Sequence, residues 1–298
     1  MEDLLDPTRD DRRSLTAVLP DGRRLGYAEW GDPAGWPVLF FHGTPSSRLG
    51  LEWAEDAAAD CGARVLSIDR PGHGLSDHAP GRTLLGWSRD VAGFADALGL
   101  PSFAIMGWSG GGPYVLACAS GIPDRVTAAA VLSGCGQFET PASRRAVSTL
   151  DRRMLALSPR SRLAARLFMK PIVVGVRRAP KLALRTFEQD LSSTDIETFR
   201  RLTPDPRTAL TFFLEAFRSG TVGVVDDYRV LASPWDFAPD DIQLPVHFWH
   251  GDDDRMATLS DARAVAERMP SSSFTVVPGA GHLLLMDHIR AIFATLAP

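Results

Sequence analysis

Three residue types at separate points of this 298-residue chain can together move a proton and attack a carbonyl: a serine, a histidine and an aspartate. Gly107-Trp108-Ser109-Gly110-Gly111 has the form G-x-S-x-G and lies between an apolar run, Phe103 to Met106, and a helical stretch, Gly110 to Gly121. At a sharp strand-to-helix turn the serine takes strained backbone angles, and flanking glycines such as Gly107 and Gly111 remove side chains that would collide there. Its hydroxyl then stands at a helix N-terminus, where amides and dipole favour negative charge. A serine hydroxyl is a poor nucleophile near neutral pH and needs a base.

Of the seven histidines, His282 is the candidate base. It follows the β-rich run Phe274 to Val277, in the loop Gly279-Ala280-Gly281-His282 where a C-terminal helix begins. His73 and His78 fall in a polar loop, His247 and His250 flank a strand, and His288 lies inside the last helix; all read as packed or solvated. The acid that orients the imidazole is expected in Asp252-Asp253-Asp254, after the run Val246 to Trp249. That position is the carboxyl edge of a parallel sheet, where sites in α/β folds gather. The chain order Ser…Asp…His is then satisfied. The aspartate run lacks the liganding spacing of a calcium loop, so no metal is expected. The spacing alone does not choose among the three carboxylates.

The elements that must position these residues are legible as runs. Val38 to Phe41, Arg64 to Ile68, Phe103 to Met106 and Ala128 to Leu132 are continuously apolar or nearly so, the pattern of strands buried on both faces of a parallel sheet. Between them, Ser46 to Cys61, Thr83 to Gly99 and Gly110 to Gly121 have the length of crossover helices, with Gly99 and Gly121 as C-terminal stops. Near the C-terminus the rhythm resumes, with helices expected over 258–269 and 282–296. The reading is an α/β fold with a mostly parallel sheet. Residues 137–230 break the pattern with amphipathic helical segments punctuated at Pro159, Pro171, Pro180, Pro204 and Pro206. The expected organisation is a core of 1–136 and 231–298, with a helical insertion of 137–230 between two strands of the main sheet.

Taken together, these motifs resemble the α/β-hydrolase superfamily, in its capped subgroup of esterases, lactonases and carbon–carbon bond hydrolases. Phe41-His42-Gly43-Thr44-Pro45 is similar to the H-G-x-P loop, and Asp69-Arg70-Pro71-Gly72-His73-Gly74-Leu75-Ser76 to the D-x-R/P-G-x-G-x-S segment. Gly251 to Asp254 resembles G-x-x-D, and Gly281-His282 matches G-H. The resemblance implies Ser109 as nucleophile, His282 as base and Asp254 as the acid. It also implies an oxyanion hole of the Thr44 and Gly110 amides, with His42 and Gly43 as structural parts of the loop. The resemblance further implies a mostly parallel, eight-stranded sheet flanked by helices, in which the insertion is the family's helical cap, placed after the sixth strand, with the substrate between cap and sheet.

The expected activity is transfer of an acyl group to water through an acyl-enzyme, with a carboxylic ester or lactone as the default substrate and no cofactor. A histidine base with an unperturbed pKa near ~6.5 would lose activity as pH falls through that value. The apolar residues of 162–176 and 208–217 include Leu163, Leu167, Met169 and Phe217, which read as core. Phe168, Phe212 and Phe213, with Trp108 and Leu283 beside the two reacting residues, are the expected pocket, which suits a small, largely apolar molecule. Carbon–carbon or amide hydrolysis, acyl transfer to another acceptor, and a non-catalytic small-molecule receptor are the competing readings on the same fold.

Composition narrows the partners. The net charge is −4 and the 32 basic residues are scattered, so no nucleic-acid partner is expected. No run approaches the ~20 apolar residues of a membrane span, and the start Met1 to Asp6 lacks a signal-peptide pattern. Three cysteines without CxxC spacing suit a reducing cytoplasm, the expected location. The sequence carries no signature of an oligomeric state.

Overall fold

A computed structural model describes residues 12–138, 143, 147–203, 205 and 209–298. The N-terminal residues 1–11, and Pro204, Pro206 and Thr208 of the insertion, lie outside the described residues. The strands are β1 (Leu15–Val18), β2 (Arg24–Gly31), β3 (Trp36–Phe41), β4 (Ala63–Ile68), β5 (Phe103–Trp108), β6 (Val126–Leu132), β7 (Val246–Gly251) and β8 (Ser272–Val277). They form one eight-stranded sheet in the order β1-β2-β4-β3-β5-β6-β7-β8. β1–β2 and β2–β4 are antiparallel, and every other pairing is parallel.

The continuous apolar runs follow from helices on both faces. In β3, Leu39 and Phe41 face a core completed by Trp87, Val91, Phe94 and Val115, from helices α2 (Leu84–Ala97) and α3 (Gly112–Gly121). Val38 and Phe40 face the opposite core, with Ala58 of a one-turn helix α1 (Glu55–Asp60) and residues Leu285, Ile289 and Phe293 of the C-terminal helix. Two buried faces leave a strand no polar side, so alternation disappears.

Helix boundaries depart from the sequence reading at three points. The segment from Ser46 to Cys61 is not one helix but a 3-10 turn, Arg48–Ala54, leading into α1. Gly99 is left-handed at φ 65°, as a stop requires, but Gly121 is the last residue of α3 and is not left-handed; Ile122 ends that helix, followed by Pro123. Gly121 is small for packing, because a Cβ there would lie 2.3 Å from Ser88 Oγ on α2. Pro171 sits inside a helix rather than ending one. That proline is on the exposed side, where water can satisfy the carbonyl its missing N–H leaves free.

Between β6 and β7 the described residues are helical: α4 (Thr149–Leu157), α5 (Arg162–Arg178), α6 (Pro180–Glu188), α7 (Ser193–Leu202), α8 (Thr211–Ala216) and α9 (Val222–Leu231). Ser148, Ser161 and Ser192 cap three of them, each accepting from a backbone amide of the first turn. The chain closes with α10 (Leu259–Ala266) and α11 (Leu285–Leu296). Among the described residues, no helix is long and apolar enough to cross a membrane.

Candidate active site

Ser109 directly follows β5 and holds φ 54°, the left-handed region that a serine occupies only when its surroundings impose it. Two glycines make the turn possible. A Cβ at Gly111 would lie 2.1 Å from Phe41 O, and one at Gly107 would lie 2.5 Å from Gly111 O. The turn therefore packs directly on the end of β3 and leaves Ser109 half-buried above the sheet.

His282 and Asp254 come from loops beyond β8 and β7. His282 Nδ1 is 2.9 Å from Asp254 Oδ2 and 3.1 Å from Oδ1, with the two side chains 1% and 0% exposed. Asp254 Oδ1 also accepts the amides of Met256 and Ala257, each at 2.9 Å. The neighbouring aspartates do other things: Asp252 accepts the Gly279 amide and Asp253 pairs with Arg255. Consecutive turn residues point different ways, and only Asp254 of the three meets the imidazole. His250, at the end of β7, donates Nε2–H to Ala257 O at 3.0 Å and lies 3.3 Å from Asp254 Oδ2.

Burial opposes protonation of His282, yet the carboxylate of Asp254, helped by Asp195 and Asp151, outweighs it and raises the histidine above its usual value. The same pairing, supported by His250, holds Asp254 well below the usual carboxylate range against its own burial. The pair is thus an anion beside an imidazole primed to accept a proton.

The loop carrying Thr44 lies against Ser109. Positions 44 and 110 meet closely, since a Cβ at Gly110 would be 2.7 Å from Thr44 Oγ1. Arg70 ties the loop down: Nη2 donates to Gly43 O at 3.0 Å and Thr44 Oγ1 at 2.8 Å, and Nη1 to His42 O. The Arg70 amide donates to His42 Nε2, leaving Nδ1–H for Gly43 O at 2.8 Å. Burial, then the Arg70 charge, holds His42 well below its ordinary pKa, so it stays neutral with both nitrogens engaged.

Behind this loop Asp227 of α9 is fully buried and accepts from Thr44 Oγ1 at 2.6 Å, Arg70 Nη2 at 2.6 Å, Tyr114 OH at 2.6 Å and Arg82 Nη2 at 2.9 Å. Burial would raise its pKa, but the two guanidinium groups hold it well below the usual range. His73, read from sequence as a loop histidine, is completely buried beside this cluster, and desolvation keeps it neutral with its pKa lowered to about 3.

A second carboxylate, Asp195 of α7, accepts the amides of His282 at 2.9 Å and Leu283 at 2.8 Å. A Cβ at Gly281 would lie 2.1 Å from Asp195 Oδ2, so the glycine before His282 is what lets this carboxylate approach. Trp108 braces the same loop, its indole N–H donating to His282 O at 3.0 Å.

Ser109 and His282 open into a cavity of about 340 Å³ between the sheet edge and α5, α6 and α8, with Trp108, Phe212 and Phe213 in its wall. Two expected pocket residues are not there. Phe168 lies one helical turn before Ile172, the first cavity residue of α5, and packs under Arg153, whose guanidinium carbon is 5.7 Å from the ring centroid. Leu283 does not line the cavity but is buried in a small cluster with Leu191, Phe199 and Ala209, against which the cavity residues Trp108, Phe187 and Met256 pack. Leu163 and Leu167, read as core, are exposed at 66% and 57%, whereas Met169 and Phe217 are buried. Unexpectedly, the wall also carries Asp151 of α4, which accepts from Tyr228 OH at 2.5 Å and Ser148 Oγ at 2.7 Å. Burial raises the pKa of Asp151.

Arg70 lay inside a motif already singled out, but Asp227, Asp195 and Asp151 carried no signal. Asp227 stands 157 residues from Arg70, and Asp195 stands 87 from His282. Separations of that size have no local pattern to read.

The family model described as alpha/beta hydrolase fold matches residues 37–289. A non-heme chloroperoxidase of Streptomyces lividans is 35% identical over 120 residues, 40% of this chain and 44% of its own length, so the chain spans less than half of that curated relative. Among solved structures, a hydrolase from Pseudomonas aeruginosa PA01 superposes with a TM-score of 0.70 at 18% identity, covering 95% of this chain and 96% of the other. The enol-lactonase from Burkholderia xenovorans LB400 gives 0.69 at 17% identity, covering 94% and 97%. Likeness at these identities is a likeness of fold.

Proposed function

The chain belongs to the alpha/beta hydrolase fold family, and from that premise we propose that it is a serine hydrolase cleaving a carboxylic ester of a small, largely apolar molecule. One observation carries the reading: His282, paired with the buried Asp254, lines the same cavity as a serine held at φ 54° above the sheet. His282 Nδ1 is occupied by Asp254, which leaves Nε2 to take the Ser109 proton. The Ser109 oxygen then bonds to the carbonyl carbon, and the negative charge on the carbonyl oxygen is received by the amides of Thr44 and Gly110. Each such donor contributes about 3–4 kcal/mol to transition-state stabilisation in serine hydrolases. Collapse breaks the bond to the leaving oxygen, which receives the proton from Nε2. Water deprotonated by His282 then releases the acid and restores Ser109. The helices of 137–230 act as the cap, since α5, α6 and α8 supply most of the apolar wall.

The test is covalent labelling with a small fluorophosphonate followed by intact mass, beside hydrolysis of p-nitrophenyl acetate. The expected result is one adduct on the wild type, absent from Ser109→Ala, with turnover lost in the same variant by at least ~10⁴-fold. Labelling or turnover that survives Ser109→Ala would remove Ser109 as the nucleophile.

A further inference from the structure

Ser109 borders two chambers that differ in size and in their access to His282. The larger is the 340 Å³ cavity, which His282 lines. The smaller, about 30 Å³, is walled by Gly110, Cys135, Leu155, Tyr228 and Leu231, and His282 is not part of it. Thr44, Ser109, Asp151 and Met256 border both, so the reacting centre sits at their junction.

The chemistry assigns an occupant to each. The leaving oxygen receives its proton from His282, so the alcohol portion of an ester lies in the chamber that His282 lines. The carbonyl oxygen points to Thr44 and Gly110. The remaining substituent on the carbonyl carbon is the acyl chain, and the space left to it is the small chamber beside Gly110. A water-sized group takes up to about 15 Å³ on this measure, so the small chamber holds about two heavy atoms. Its walls do not retreat easily. Leu155 and Leu231 belong to the main core, at 2% and 4% exposure, and Tyr228 is held by its hydrogen bond to Asp151.

We propose that this site selects short acyl groups, acetyl to propionyl, esterified to large apolar alcohols. The proposal rests on the serine-hydrolase reading above and deepens it. The larger wall suits such an alcohol, with Ile172, Val176, Phe187, Phe212 and Phe213 around it.

Two substrate series on the wild type test it. With p-nitrophenol as the constant leaving group, kcat/KM falls at least tenfold from acetate to butyrate and about 100-fold by octanoate, the scale on which a filled pocket rejects added methylenes. With acetyl as the constant acyl group, kcat/KM rises from ethyl to hexyl to 2-phenylethyl acetate. Leu231→Ala and Leu155→Ala, which enlarge only the small chamber, raise the butyrate-to-acetate ratio about tenfold. Rates that climb with acyl length, or that are indifferent to it while labelling at Ser109 persists, overturn the chamber assignment and leave the hydrolase reading standing. Absence of both labelling and turnover across every ester overturns the two together. If a variant does not fold, the wild-type series decides alone.

Discussion

His282 is set by opposing forces of burial and negative charge, and the sign of the outcome is measurable. Burial lowers its pKa, while Asp254, Asp195 and Asp151 raise it by more, so the net shift is upward from 6.5. In the proposed mechanism His282 works only when neutral. The acid limb of kcat/KM therefore has its midpoint above pH 6.5, with activity lost as pH falls through it. A pH–rate profile from 5 to 9 checks this, and a midpoint below 6.5 contradicts the electrostatic account. Asp254→Asn keeps the size of the side chain but no longer stabilises the imidazolium; kcat is expected to fall about 10⁴-fold with KM little changed. Cys135, close to Ser109, is not a rival nucleophile, because burial pushes its thiol up to about 12.

At the scale of elements, two helices of the insertion reach into the sheet side and hold its loops. Asp227 on α9 joins Thr44, Arg70, Arg82 and Tyr114. Asp227→Ala leaves two buried guanidinium groups uncompensated, and urea denaturation is expected to show a loss of about 3–5 kcal/mol. The pH dependence has a defined sign. A carboxylate depressed in the folded state contributes stability above its unfolded pKa of about 3.9, and that contribution is lost as pH falls through the lower folded value. The wild type should therefore lose stability below about pH 4 more steeply than Asp227→Asn. Asp195 on α7 tethers the His282 backbone in a comparable way. Asp195→Ala removes an acceptor from two buried amides at a cost of about 1–3 kcal/mol. The displaced imidazole lowers kcat more than it raises KM, which steady-state kinetics on one ester separates.

For the whole molecule, the cavity exists because the insertion spans the carboxyl edge of the sheet rather than packing flat on a face. Gly175 of α5 lines that cavity, and a Cβ there meets nothing within 4 Å. Gly175→Leu is expected to stabilise the helix by about 0.5–1 kcal/mol, since glycine is among the poorest helix formers. The same side chain narrows the larger chamber, so KM for 2-phenylethyl acetate rises several-fold more than KM for ethyl acetate. A thermal melt and the two KM values test both halves; equal KM changes would place the large alcohol elsewhere.

The amino-acid order by itself determined the parallel sheet, the glycine-flanked serine turn and the place of the insertion. Each is written in local terms: apolar runs without alternation, glycines beside Ser109, and a stretch between Leu132 and Val246 without strand character. The antiparallel β1 and β2 pair did not stand out, and neither did the choice among Asp252, Asp253 and Asp254, which spacing alone left open. Which apolar side chains line the cavity was decided only by the tertiary structure. Phe168 and Phe212 are alike in type and setting along the chain, yet one packs under Arg153 and the other lines the cavity that Ser109 borders. Helix phase and the docking of one helix on another set that difference. The same holds for Asp227 and Asp195, whose partners lie 157 and 87 residues away. Local sequence specifies the elements because hydrogen bonding and burial pattern act over a few residues. It does not specify which buried carboxylate meets which distant amide, because that depends on how the finished elements pack.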